Sequence, residues 1–423
     1  MVHGWRAEAV PFFALALLFM AGCTGPAAND LESAVPPIVL DAEVPCQAPY
    51  TATATTKNFH RLNHTGLQPG GPQEIDIRGD LLLAARAGGF TLFNISQPEA
   101  PLELAHYGDA GGMLDVKFTP DNATALVTTT RHIDVVDIRQ PDNPVRVSRW
   151  AFTDVATPPS GMSGQNAHMV FTATIKGKDW AFLAPQSSTG VWILEIVGPP
   201  ETRTLKFVGT TLPVQGGLSG PHDIYVTRDR ELGWLLYTAD AFVGWTVFDV
   251  NDPTQPRFVG GQPNTDVSGT HTVQAAWING KRIVATSTEF GMNALKVWDA
   301  TRLAAPVLIG YWTRSMGPEQ LAIMHNFQIV DGRIYMAYYS EGIFVFNITK
   351  LRFGESPFAL APEAHFASSG GTPAFGSGGG GFWDVVLHHG RLYAGSYSGH
   401  EVGLHVIRFG CIPAGDARFT STG

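Results

Sequence analysis

Four histidines open equivalent segments of this 423-residue chain: NAHMVF (His168), GPHDIYV (His222), GTHTVQA (His271) and IMHNFQIV (His325). The chain holds 14 histidines in all, so four at one repeated position is a pattern rather than scatter. Neutral imidazoles ligate Zn, Cu and Fe. Four of them brought to one mouth by a rigid scaffold are candidate ligands for one transition metal ion. The same position counts back to Gln73, Leu114 and Trp383 in three other segments. Glu289 and Glu341 fall in turns expected beside His271 and His325. There a carboxylate can orient a metal-bound imidazole or serve as a general base, which makes them the candidate catalytic residues. Arg86, Arg131 and Asp240 fall in the corresponding turns of other segments and are candidate ligand-binding residues, the two arginines for an anion. The competing reading of the histidines is a rim of structural or ligand-contacting side chains with no metal.

A returning phrase says what must hold these residues. FTLFNISQPEAP at 90–101 comes back as IDVVDIRQPDNP at 133–144, WTVFDVNDPTQP at 245–256 and LKVWDATRLAAP at 295–306. Weaker copies are VWILEIVGPP at 191–200, IFVFNITKL at 343–351 and GLHVIRF at 403–409. A period of roughly 40–60 residues marks an array of equivalent units, each burying its apolar face on its neighbours. The unit from His325 reads most fully: HNFQIV, a tight Asp331-Gly332 turn, RIYMAYY, a second turn, then IFVFNI and an outer strand. Four short antiparallel strands per unit make a propeller blade with the first strand innermost. The expected fold is therefore all-β, a single propeller of seven four-stranded blades. Their inner strands start near 73, 114, 168, 222, 271, 325 and 383. Asp137, Asp249 and Asp299, with Asn94 and Asn347, end the third strands. An Asx side chain there satisfies the backbone of the turn, so these are read as scaffold.

The copies resemble LVIVD repeats, a family named for its third-strand pattern, over nearly all of residues 70–410. That resemblance implies a β-propeller in an exported or surface-attached protein and is nearly silent on activity. The placing of the histidines is also similar in logic to carotenoid oxygenases, where four His on propeller blades hold iron. The selenium-binding protein family, with its copper-dependent methanethiol oxidase, offers the same analogy.

The last unit has no room for a regular outer strand after GLHVIRF. The segment Ala48 through Phe59 (APYTATATTKNF) alternates in part and has no blade of its own. It is expected to complete blade 7 and hide two sheet edges. Residues 46–415 thus form the propeller and 416–423 a tail. Cys46 and Cys411 bracket it, and outside the cytoplasm such a pair tends to oxidise. A Cys46–Cys411 bridge would stabilise by roughly 5–6 kcal/mol in the chain-entropy account.

The N-terminus is expected to be a targeting segment. Arg6 precedes an apolar run from Ala9 to Gly22, short for a membrane span, that ends in Met20-Ala21-Gly22-Cys23. This resembles a lipobox, which implies a signal peptide over 1–22, lipidation of Cys23 and attachment to the extracytoplasmic face of a membrane. Residues 23–45, rich in Pro, Ala, Asp and Glu, have the composition of a disordered tether. The net charge of −9 disfavours nucleic acid as a partner. No Walker loop, HExxH or dinucleotide GxGxxG in a βαβ setting occurs. Two functions follow as alternatives: an extracytoplasmic binding or scaffold module presenting its channel face to a surface protein, glycan or small ligand, or a metal-dependent oxidoreductase or hydrolase.

Overall fold

Short runs of Val, Ile, Phe and Trp between Gly- and Asx-containing turns pair here into successive antiparallel hairpins. The computed structural model describes residues 59–66, 74–86, 88–111, 113–154, 168–185, 190–211, 220–240, 243–263, 269–289, 294–314, 324–339, 341–353, 357–366, 381–396 and 402–409. Seven sheets result, six of four strands and one of five, and among the described residues there is no α-helix. Innermost strands begin at Ile75, Met113, Met169, Pro221, Thr270, Phe327 and Phe382 in blades 1 to 7. The chain is a seven-bladed β-propeller.

Local chemistry explains each blade. In blade 6, Phe327–Val330 turns through Asp331 and Gly332, both at positive φ, into Arg333–Tyr338. This is the two-residue geometry whose twist suits a hairpin. Gly342–Asn347 follows, and Ala364–Phe366 is the outer strand. The third strands end as the sequence suggests. The Oδ1 atoms of Asn94, Asp137, Asp249, Asp299 and Asn347 each accept the backbone N–H two residues on, at 2.8–3.0 Å. One feature is unforeseen: Phe358–Ala359, on the way to the outer strand of blade 6, pairs in parallel with the outer strand of blade 5, Val307–Thr313.

Burial is organised between blades. Seven apolar clusters each join two neighbours, for example Leu83, Phe90 and Leu92 of blade 1 with Val116, Phe118 and Val127 of blade 2. The cluster of Ile75, Leu82 and Phe93 with Tyr393, Leu404 and Val406 joins blade 1 to blade 7 and closes the ring. Side chains of the inner strands add staples across the channel wall. Asp384 Oδ2 accepts from Ile75 N (3.1 Å), Asp76 Oδ2 from Phe118 N (2.8 Å) and Asp115 Oδ2 from Val170 N (2.8 Å). Gln274 and Gln328 make the same kind of bond to Ile329 N and Leu387 N. Each bond pays off a buried backbone donor that the next blade leaves unpaired.

The N-terminal segment does complete blade 7, with a different register from the one expected. The closing strand is Phe59–Gly66, antiparallel to Gly403–Phe409 from Phe59↔Phe409 to Gly66↔Gly403. Of the expected Ala48–Phe59 strand only Phe59 belongs to it, and residues 48–58 lie outside the described ones. The observed strand carries Arg61, Asn63 and His64 because an outer strand needs only one covered face. Cys23, Cys46 and Cys411, and with them the lipid and disulfide expectations, also lie outside the described residues.

Candidate metal centre on the channel face

The inner-strand starts carry the four histidines to one level of the channel. His168, His222, His271 and His325 are 0, 2, 1 and 0% exposed. Their rings form an arc through blades 3 to 6. Centroids lie 4.4 Å apart from His168 to His222, 4.2 Å from His222 to His271 and 4.4 Å from His271 to His325. Trp383 of blade 7 continues the arc 4.1 Å from His325. Tyr339 packs against both His325 and Trp383.

Within this arc one group has the spacing of a metal site. Ligand atoms of His222, His271 and Glu289 all lie within 4.8 Å of one another, and it is the one such group of His, Cys, Asp or Glu among the described residues. Glu289 Oε2 stands 3.4 Å from His271 Nε2 and 3.9 Å from His222 Nε2. Its Oε1 accepts from the Tyr339 hydroxyl at 3.2 Å. His168 and His325 flank this group on either side. Two imidazoles and one carboxylate suit Zn, and equally Fe(II) in a facial set, with positions left open for other ligands.

Hydrogen bonds decide which nitrogens face the carboxylate. His325 Nδ1 lies 2.8 Å from the Trp383 carbonyl, which only accepts, so Nδ1 carries the proton. His271 Nδ1 lies 2.8 Å from Thr272 Oγ1, and Thr272 donates its own proton to Asn326 Oδ1 at 3.3 Å. Hence His271 Nδ1 is protonated and its Nε2 lone pair points toward Glu289. The amide of Asn326 is held by a bond from Nδ2 to Glu74 Oε2 (3.2 Å), and Glu74 Oε1 takes the Trp383 indole N–H (2.7 Å). This chain of contacts orients the His271 imidazole from behind, the support that a metal-ligating histidine ordinarily has.

Burial sets the protonation states. It pushes the Glu289 carboxyl up to about 8 and holds His222 down at about 3. His168, His271 and His325 are held well below the ordinary imidazole value, by burial and by neighbouring imidazoles. At neutral pH the imidazoles are therefore uncharged. Glu289 Oε2 and His271 Nε2 face each other with only a proton, or a cation, to reconcile them.

One residue below the histidine level, the channel is acidic. Glu74, Asp115, Asp223 and Asp384 each follow the aligned position of their blade (Gln73, Leu114, His222 and Trp383), and all four are buried. With Asp76 they surround Lys117, whose Nζ donates to Asp115 Oδ1 at 3.0 Å. Burial raises the Asp115, Asp223 and Asp384 carboxyls. Sequence reading missed this ring, although the dipeptides His222-Asp223 and Trp383-Asp384 carried its signal.

The other expected site residues are dispersed. Glu341 is out of register with Glu289, because Tyr339 is what matches Glu289: Ser287 pairs with Thr272 as Ala337 does with Asn326. Glu341 instead pairs with Arg314 at 2.6 Å, and its carbonyl meets His365 Nε2. Asp240 is buried, pushed up to about 7 by burial, and accepts from Thr238 Oγ1 at 2.8 Å. Arg86 reaches Thr91 within its own blade and Arg131 is exposed; neither touches the His/Glu group.

No family model matches the chain, and no curated protein matches it. Its fold, however, is similar to solved propellers. The WD40 propeller domain of Doa1 superposes with a TM-score of 0.54 at 10% identity, covering 86% of this chain and 99% of that one. Saccharomyces cerevisiae Sqt1 gives 0.53 at 11% identity over 85% and 100%. A chain of the Mitotic Checkpoint Complex gives 0.54 at 12% identity over 86% and 98%. At these identities the likeness is one of fold.

Proposed function

We propose that this propeller is an extracytoplasmic binding module whose channel face holds one transition metal ion, Zn, Cu or Fe, on His222, His271 and Glu289. The observation that carries the reading is the convergence in a buried site of Glu289 Oε2 with His271 Nε2 at 3.4 Å and His222 Nε2 at 3.9 Å. The excess of channel carboxylates just below favours a cation at this level. The Thr272–Asn326–Glu74 contacts supply the outer support that metal-ligating histidines ordinarily have. The membrane setting rests on the lipobox-like Met20–Cys23 alone.

Elemental analysis of the full chain, purified without a polyhistidine tag, tests the site. The expected result is one equivalent of metal, lost in His222→Ala and in Glu289→Ala while the far-UV circular dichroism is kept. Absence of stoichiometric metal, or its retention in both variants, overturns it. In the same preparations Cys23→Ala should move the protein from the membrane to the soluble fraction; an unchanged distribution removes the lipid anchor from the proposal.

A metal-dependent hydrolase or oxidoreductase is the second reading. It is favoured by the open coordination positions that three protein ligands leave.

A further inference from the structure

We infer that an open position of this ion is taken by a small monoanion, of hydroxide or azide size, and that His168 holds that anion rather than the metal. The inference rests on the three-residue metal site proposed above. His168 is fully buried, and neither Nδ1 nor Nε2 has a hydrogen-bond partner. A neutral imidazole carries one donor and one acceptor, and buried polar side-chain atoms are satisfied in the large majority of cases. Whichever nitrogen bears the proton, that buried N–H has no acceptor, which points to a group that accepts it.

The position of the ring says what that group is next to. His168 opens the inner strand of blade 3 as His222 opens that of blade 4, and the two rings lie 4.4 Å apart at 52°. His168 is thus beside a proposed metal ligand, on the side away from His271. It is not one of the three residues whose ligand atoms converge. A His-His-Glu set gives a divalent ion three ligands and leaves at least one position vacant for solvent or another ligand.

Charge and space narrow the class. Within its own ligand set, a divalent ion with one carboxylate keeps one positive charge, which a coordinated monoanion balances. Every ring of the arc is packed against its neighbour at 4.1–4.4 Å, so the ligand is small. The imidazole N–H of His168 donates to the anion as a hydrogen-bond donor. His168 is in this assignment a positioning residue for the exogenous ligand.

Azide titration of the copper(II)-loaded full chain, followed by its ligand-to-metal charge-transfer absorption, tests the assignment. The wild type should give a saturable band. His168→Ala should keep one equivalent of copper and weaken azide about 10- to 100-fold, the loss expected for a hydrogen bond to a charged group. His168→Gln, whose amide restores an N–H, should recover part of it. Unchanged azide affinity in both variants overturns the inference, as does a wild type with copper and no azide band. Loss of copper itself from His168→Ala and His168→Gln makes His168 a metal ligand and overturns the inference while leaving a metal site in place. Failure of the wild type to bind copper or any other metal overturns the three-residue site, and this inference with it.

Discussion

Glu289 is the residue on which the chemistry of the site turns. Its carboxyl titrates at about 8 against an ordinary 4.5, because it is desolvated. A raised carboxyl contributes to folding only while protonated. Its contribution is whole below the unfolded value and is lost as pH rises through about 8. The metal-free protein should therefore lose stability from about pH 4.5 to pH 8 through this group, and Glu289→Gln should lack that component in urea titrations across the range. His222 works on the acid side with the opposite sign. Its folded value of about 3 lies below the ordinary 6.5, so its contribution is present above 6.5 and drains away as pH falls toward 3. Metal binding then has one proton to displace near neutrality, the one on Glu289. Affinity measured by calorimetry should rise about tenfold per pH unit below about 8 and level off above it, with one proton released per ion. A flat profile between pH 6 and 8 would remove Glu289 from the ligand set.

At the scale of single strands, the inner strand of each blade does two jobs with adjacent residues. One residue faces its neighbours at the mouth, and the next reaches across to another blade. Thr272 joins the two roles: its oxygen receives the His271 Nδ1 proton and its own proton goes to Asn326 on blade 6. Thr272→Val keeps the shape and β-branching but removes both bonds. Metal affinity should fall about 10- to 100-fold, with Thr272→Ser retaining most of it and both variants melting close to the wild type. Equal affinity for Val and Ser would show that the tautomer is set elsewhere. These strands also mark the limit of what the sequence discloses. Alternation, the Asp331-Gly332 turn and the Asx ends of the third strands are local signals, and all are found as read. The four histidines were legible for the same reason, since each sits at a fixed count from a turn. The carboxylate ring of Glu74, Asp115, Asp223 and Asp384 was not, because its members acquire meaning only when seven strands stand around one axis. Glu289 and Glu341 looked equivalent because both follow a second strand, but turn length shifts them by two residues, and only the register of the strands reveals that Tyr339 is the true counterpart.

Ring closure belongs to the molecule as a whole. In the last blade a strand from the start of the chain covers Gly403–Phe409 and becomes the short outer edge, as the fourth strands do in the other blades. Within that join His64 stacks on His405 at 4.4 Å and hydrogen-bonds the Val402 carbonyl at 3.2 Å. The strand was hard to locate in the sequence: its partner lies at the other end of the chain, and its polar, singly covered face blurs the alternation. Two truncations isolate its effect. A chain beginning at residue 58 keeps Phe59–Gly66, whereas one beginning at residue 67 bares the edge of Gly403–Phe409. Both lack Cys46, so a disulfide cannot account for a difference between them. The shorter chain should melt at least ~5 °C lower and associate as its concentration is raised, as an unpaired edge templates other strands. Equal melting temperatures with both chains monomeric would show that the interblade clusters alone close the ring. Comparing the full-length chain with the one beginning at residue 58, under oxidising and reducing conditions, then isolates the bridge. A Cys46–Cys411 peptide in non-reducing mass spectrometry, with stability lost on reduction only in the full-length chain, is the expected result; two free thiols would leave the join to the strand and the contacts between blades 1 and 7.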